Sequence, residues 1–378
     1  MMKKYISMLA AAAMFIALSG CTLISWDDLD DVTPGNEDKP VNEELTIEVD
    51  EPVIRADGLS GARIIVKSGE TPVTDGVSIY DASSNKALDL PGMVFTTEKP
   101  GTYSFWAAYK TKHTGKVSVT AVTAAIPQLP ADPSPASVSF KRRMLVTQFT
   151  GTGCGYCPLM TTLLRSFAEE EAYKDKYLHA ACHTYNSNDP AYLTTGIDNA
   201  MSIASYPNGV INLDKTKKFS SSTTLAKFVE FFDGIYTPEA SAGIAVSTVL
   251  DFPQLVVKAS VKAAVDGEYH VAAWLLEDGI YAVQTNYGYT GDFNTHNNCV
   301  RLTSGKNSAT DFTGTALQLK AGESAEQYFI MDLKTAWVAE NCHVIVFVST
   351  LDPELRTFTV NNVVDCKLDA AVPFEYND

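Results

Sequence analysis

The chain has 378 residues, 46% hydrophobic and 20% charged, an ordinary globular composition with enough length for two or three cores. Its formal net charge is −16. That excess of carboxylates excludes nucleic acid and anionic lipid headgroups as partners, because phosphate recognition needs clustered Lys and Arg; the compact basic cluster Lys141-Arg142-Arg143 reads as the solvated start of a strand.

Lys3 and Lys4 precede an apolar run over residues 6–18, and Leu18-Ser-Gly-Cys21 follows. A positive start, a short hydrophobic stretch and small residues at a cleavage point predict a signal peptide over residues 1–20. A spanning helix needs roughly 20 apolar residues, more than this run supplies. The cysteine after the small residues resembles a bacterial lipoprotein signal, which implies a lipidated Cys21 as the mature N-terminus and attachment to the membrane by lipid. Loss of Lys3 and Lys4 makes the mature charge −18. Residues 21–43, with the acidic run Asp27-Asp-Leu-Asp-Asp31 and Pro34, Gly35 and Pro40, predict a solvated tether. The acidic run also resembles the surface-export signal of Bacteroidetes lipoproteins, so an outer-membrane lipoprotein facing the cell surface or the periplasm is expected.

Short alternating runs separated by turn residues fill residues 44–125 and predict an antiparallel β-sandwich. The stretch Lys99-Pro-Gly-Thr-Tyr-Ser-Phe-Trp-Ala107 resembles small bacterial immunoglobulin-like (Ig-like) domains. Pro127, Pro130, Pro133 and Pro135 then mark a linker over residues 126–139, whose extended backbone is expected to space the first domain from the second.

Residues 140–240 carry the chemistry. Met144-Leu-Val-Thr-Gln-Phe-Thr150 reads as a buried strand, Gly151 and Gly153 as a turn, and Leu159, Leu163, Leu164, Phe167 and Ala168 recur at helical spacing. Cys154-Gly-Tyr-Cys157 therefore falls where strand gives way to helix. At a helix N-terminus unpaired N–H groups favour a thiolate, so Cys154 is expected to attack and Cys157 to resolve, with Pro158 in the first helical turn. Strands near residues 178–183, 209–214 and 217–220 and helical stretches near 194–204 and 223–232 complete an order that resembles thioredoxin-like proteins. That resemblance implies a cis proline at Tyr206-Pro207, presenting the Tyr206 backbone to an extended substrate. It breaks at Gln148, where thioredoxins usually carry a buried acid; an amide takes up no proton. The Cys-Gly-Tyr-Cys core is similar to that of periplasmic disulfide isomerases, which implies isomerisation or oxidation of exported clients.

Residues 241–378 return to β periodicity and predict a third, sandwich-like all-β domain, making the whole a multidomain chain of Ig-like sandwich, α/β thioredoxin-like unit and C-terminal sandwich. Thr295-His-Asn-Asn-Cys-Val-Arg301 and Val360-Asn-Asn-Val-Val-Asp-Cys-Lys367, together with Phe149-Thr-Gly-Thr-Gly-Cys-Gly-Tyr-Cys-Pro158, resemble outer-membrane-protein-28-related lipoproteins over about residues 141–368. Seven cysteines less Cys21 leave six. Cys342 begins one C-terminal strand and Cys366 ends the next, so a hairpin would set them nearly opposite, as a structural disulfide candidate. Cys182 and Cys299 read as buried free thiols. His179 and His183 face away from Cys182 on a strand, and no second Cys-x-x-Cys completes a zinc set, so no metal or cofactor is expected. Asn186-Ser-Asn-Asp189 and Gly291-Asp-Phe-Asn294 read as solvated polar turns, and Trp106, Trp274 and Trp337 as core.

Two functions fit. The protein exchanges disulfides in exported or surface protein clients through Cys154, Cys157, Tyr206 and Pro207, or it is a cell-surface adhesin or protein-binding lipoprotein whose Cys154 to Cys157 disulfide is structural. The resembled lipoproteins have been regarded as adhesins.

Overall fold

The computed structural model describes residues 44–304, 312, 314–352 and 357–377. The expected signal peptide, lipidated Cys21 and acidic tether lie outside them. Strands dominate, in several sheets, and no described helix is long and apolar enough to cross a membrane.

The N-terminal strands form two sheets around one core. Gly61–Ser68 is central to one, Gly101–Tyr109 to the other, and their alternate residues Ala62, Ile64, Val66, Phe105 and Ala107 are buried between them. Period-2 alternation gives each strand one apolar face, and two such faces close on each other.

The second assembly is built on β1 (Met144–Thr150), buried at every position as a central strand must be. It pairs in parallel with β2 (Tyr177–His183) and antiparallel with β3 (Asn208–Ile211), which continues to β4 (Lys218–Ser220). Helices α1 (Cys157–Ala168) and α2 (Leu225–Asp233) cover one face, where Met160, Leu163, Phe167, Phe228 and Phe232 pack on Met144, Val146 and Ile211.

The sheet does not stop at residue 240. The outer edge of β2 takes up β6 (Cys299–Thr303), with Ala181 opposite Cys299, and β6 pairs with β5 (Gly267–Glu277). From β5 the sheet runs on through β7 (Cys342–Asp352) and β8 (Thr357–Lys367), in the order β4-β3-β1-β2-β6-β5-β7-β8. The two regions expected as separate units on either side of 240 share this sheet and one core, in which Leu145, Phe149 and Val210 pack with Trp274, Val300, Phe347 and Val363. The opposite face of β5, β7 and β8 closes on a second sheet built from Ala242–Asp251, Gln254–Ala263, Ser324–Asp332 and Ala371–Val372.

The proline-rich linker is docked and does not act as a free spacer. The buried Lys262 ammonium lies 3.0 Å from Asp132 Oδ2 and donates to the Pro135 carbonyl at 2.7 Å and to the Tyr376 hydroxyl at 3.2 Å. Val53, Val122 and Ala124 also bury against Val256. The expected spacing of the first region from the rest is thereby corrected: a buried cation needs partners, and the linker supplies two of them.

Candidate functional site

The Cys-x-x-Cys pair leaves the end of β1 through a tight loop. Cys154 N–H donates to the Gly151 carbonyl at 3.0 Å, Cys157 N–H to the Cys154 carbonyl at 3.2 Å, and α1 starts at Cys157 with Pro158 in its first turn. Cys154 thus lies three residues before the helix and not on its first turn. The two sulfurs form a disulfide with Cα atoms 5.4 Å apart.

Neither cysteine is open to solvent: Cys154 is 3% exposed and Cys157 1%. Cys154, expected to attack, is thus closed off, and its loop is bonded to a segment distant in sequence. Gln284 lies against the loop, its side-chain NH2 shared among the carbonyls of Cys154 (2.9 Å), Gly151 (3.2 Å) and Thr152 (3.2 Å). Thr285 N–H donates to the Thr152 carbonyl at 2.7 Å and Tyr287 N–H to the Gly155 carbonyl at 3.3 Å. The Tyr287 ring lies over Gly155, where an added Cβ would stand 2.5 Å from it, and meets Tyr156 edge-on at 5.0 Å. Residues 284–287 therefore strap the disulfide loop.

Tyr206 and Pro207 immediately precede β3, whose register sets Asn208 opposite Phe149, so they sit beside the end of β1 from which the loop departs. The Tyr206–Pro207 peptide bond is cis. The Tyr206 hydroxyl is engaged by Thr184 at 2.9 Å and donates to Asp198 at 3.1 Å; burial, with Asp198 adding, pushes it up to about 12. Gln148 is buried, and its amide donates to the Thr161 hydroxyl at 3.4 Å.

A polar network underlies the loop. Asp189, expected in a solvated turn, is buried: its Oδ2 accepts from Thr152 N–H and from His183 Nδ1, both at 2.7 Å, and its Oδ1 accepts from Ala191 N–H at 2.8 Å. His183 Nε2 faces Cys299 Sγ at 3.5 Å. Burial works against charging His183, but Cys299 and Asp189 outweigh it and raise the ring to about 10; hydrogen bonds from His183 and the two backbone N–H groups outweigh desolvation of Asp189 and hold it down at about 2. Cys, His and Asp stand in the order of a nucleophilic triad. Cys299 is wholly buried, however, so no substrate reaches it.

The proposed Cys342 to Cys366 bridge is absent. Cys366 stands opposite Val344, two residues from Cys342, and each thiol donates instead to carbonyls, Cys342 to Val338 and Cys366 to Lys367 and Ala370. Burial pushes the first up to about 12 and the second to about 11. Cys182 and Cys299 are buried free thiols, and no group of metal-binding side chains occurs among the described residues.

Residues 195–371 match the family model described as "Outer membrane protein Omp28". Over that span the chain is similar to Omp28 proteins. The span holds the strap and Tyr206-Pro207 but not the cysteine pair. HBP35 of Porphyromonas gingivalis is 19% identical with a TM-score of 0.52, covering 64% of this chain and 80% of that one, which shows a shared fold. A domain of the outer membrane lipoprotein Omp28 from Porphyromonas gingivalis is 18% identical over 35% of this chain and 93% of that one, with a TM-score of 0.23. An Agrobacterium tumefaciens protein, 11% identical over 63% of this chain and 99% of that one, has a TM-score of 0.37. No curated protein matches the chain. The Omp28 relationship supports an outer-membrane or surface location.

Proposed function

We propose that the protein is an exported outer-membrane lipoprotein, anchored through Cys21, that serves as a protein-binding surface module. In this reading its Cys154–Cys157 disulfide is a staple. Residues 44–125 form a bacterial Ig-like sandwich, and residues 140–240 a thioredoxin-like unit used as scaffold. The observation that carries this reading is the burial of both cysteines, in a loop that residues 284–287 strap. Exchange requires a thiolate to reach a disulfide sulfur and form a mixed disulfide, and sulfurs buried in a strapped loop resist that approach. Gln148 adds to the argument, since its amide takes no proton from a departing thiol.

Disulfide exchange on exported clients is the second reading, favoured by a pair that closes at the start of α1 with Tyr156 54% exposed between its cysteines. Reduction of insulin by dithiothreitol separates the two. The full mature chain is expected to accelerate it no more than the Cys154→Ser/Cys157→Ser double variant. Acceleration that depends on both cysteines overturns the staple.

A further inference from the structure

A cleft of about 390 Å³ lies between α1, β2 and residues 284–298. Its wall differs in charge from the chain as a whole. It carries Arg165, Lys174 and the imidazoles of His179, His183 and His296, and no Asp or Glu side chain, in a protein with 45 acidic and 29 basic residues. Leu164 and Phe293 supply apolar surface, and the volume is that of a small-molecule site.

Two residues of this wall call for an acceptor. Asn298 Nδ2 stands 3.4 Å from His179 Nδ1. An amide NH2 only donates, so Nδ1 accepts and the ring proton sits on Nε2. That Nε2 is buried and has no hydrogen-bond partner. Burial and the neighbouring His183 hold His179 down at about 4, so near neutral pH it is an uncharged N–H donor. A buried donor without an acceptor is unfavourable, and because this Nε2 is closed off, the ring must turn toward the cleft for a ligand oxygen to remove that cost. The second residue is Arg165. It donates to the Asp292 carbonyl at 2.7 Å and lies 5.5 Å from the Phe293 ring centroid, and among the described residues it makes no ion pair. Lys174, by contrast, is bound to Glu171, and His183 to Asp189.

We infer that this cleft binds a small organic carboxylate with an apolar or aromatic body. With the His179 ring turned into the cleft, a carboxylate oxygen accepts from Nε2–H, Arg165 supplies the counter-charge, and the body lies against Phe293 and Leu164. A neutral wall would take such a ligand's amide equally well; this one discriminates by charge. The inference stands whether the disulfide is staple or catalyst.

Titration of the full mature chain, labelled with ¹⁵N in its histidine rings, with benzoate and with the isosteric benzamide tests it. Benzoate is expected to give a saturable shift of the His179 ring resonances below about 10 mM, and benzamide to bind at least about tenfold more weakly. Arg165→Gln, at an exposed position, is expected to weaken benzoate by about tenfold with the fold intact. Absence of a saturable shift overturns the inference, as do equal binding of benzamide or unchanged binding by the Arg165 variant.

Discussion

The residues that decide how this protein behaves are Asp189 and His183 as much as the two cysteines. Asp189 ties the disulfide loop to β2 through Thr152 N–H and His183. Asp189→Asn breaks a buried pair and is expected to cost about 3–5 kcal/mol in urea unfolding. The pair also sets a pH dependence. His183 rises from its ordinary 6.5 to about 10, so its stabilisation is full below 6.5 and is lost as pH rises through about 10. Asp189 falls from 3.8 to about 2, so its contribution is present above 3.8 and is lost as pH falls through about 2. Wild-type stability is therefore expected to decline between pH 6.5 and 10, and Asp189→Asn to flatten that decline; equal slopes would contradict the pairing. None of this was legible beforehand. Asn186-Ser-Asn-Asp189 has the composition of a solvated turn, and a turn's burial depends on what folds over it.

At the scale of elements, the strands and helices that bear the cysteines followed from pattern. Met144, Leu145, Val146 and Phe149 make Met144–Thr150 read as a buried strand, and Leu163, Leu164 and Phe167 keep helical spacing. The strap has no period at all. Gln284, Thr285 and Tyr287 act through backbone pairing and one amide, which leaves no hydrophobic signature in the sequence. Cys342 and Cys366 failed for a related reason: adjacent strands were legible, but a two-residue offset in register decides which side chains meet. Gln284→Ala removes the donor shared by the Cys154, Gly151 and Thr152 carbonyls and is expected to cost about 1–2 kcal/mol. It is also expected to speed reduction of the disulfide by dithiothreitol by about tenfold, since access controls thiol exchange. An unchanged reduction rate would mean that residues 284–287 do not cover the sulfurs.

On the scale of the whole molecule, β2 and β6 join regions that sequence periodicity separates. Ala181 and Cys299 become neighbours across more than a hundred residues, and nothing local encodes that pairing. The shared core makes a direct prediction. Trp274, fully buried and edge-on to Phe347 at 5.1 Å, packs in the same cluster as Leu145 and Phe149. Trp274→Ala is expected to cost about 3–5 kcal/mol and to lower the midpoints of the helical and strand signals together. If the α1 and α2 signal kept its wild-type midpoint, residues 140–240 would be an independent unit after all. The docked linker points the same way, since Lys262 draws Asp132 and Pro135 onto the C-terminal sheet.

The reading of the Cys154–Cys157 disulfide as a covered staple rests on its redox behaviour. Its most direct test equilibrates the full mature chain in graded thiol and disulfide buffers and reads both cysteines by differential alkylation and mass spectrometry. A covered staple is expected to stay oxidised to potentials below about −300 mV, with neither thiol reacting faster than an ordinary free cysteine. Reversible titration within roughly −120 to −270 mV, with Cys154 alkylated first near neutral pH, would contradict it and establish a working dithiol.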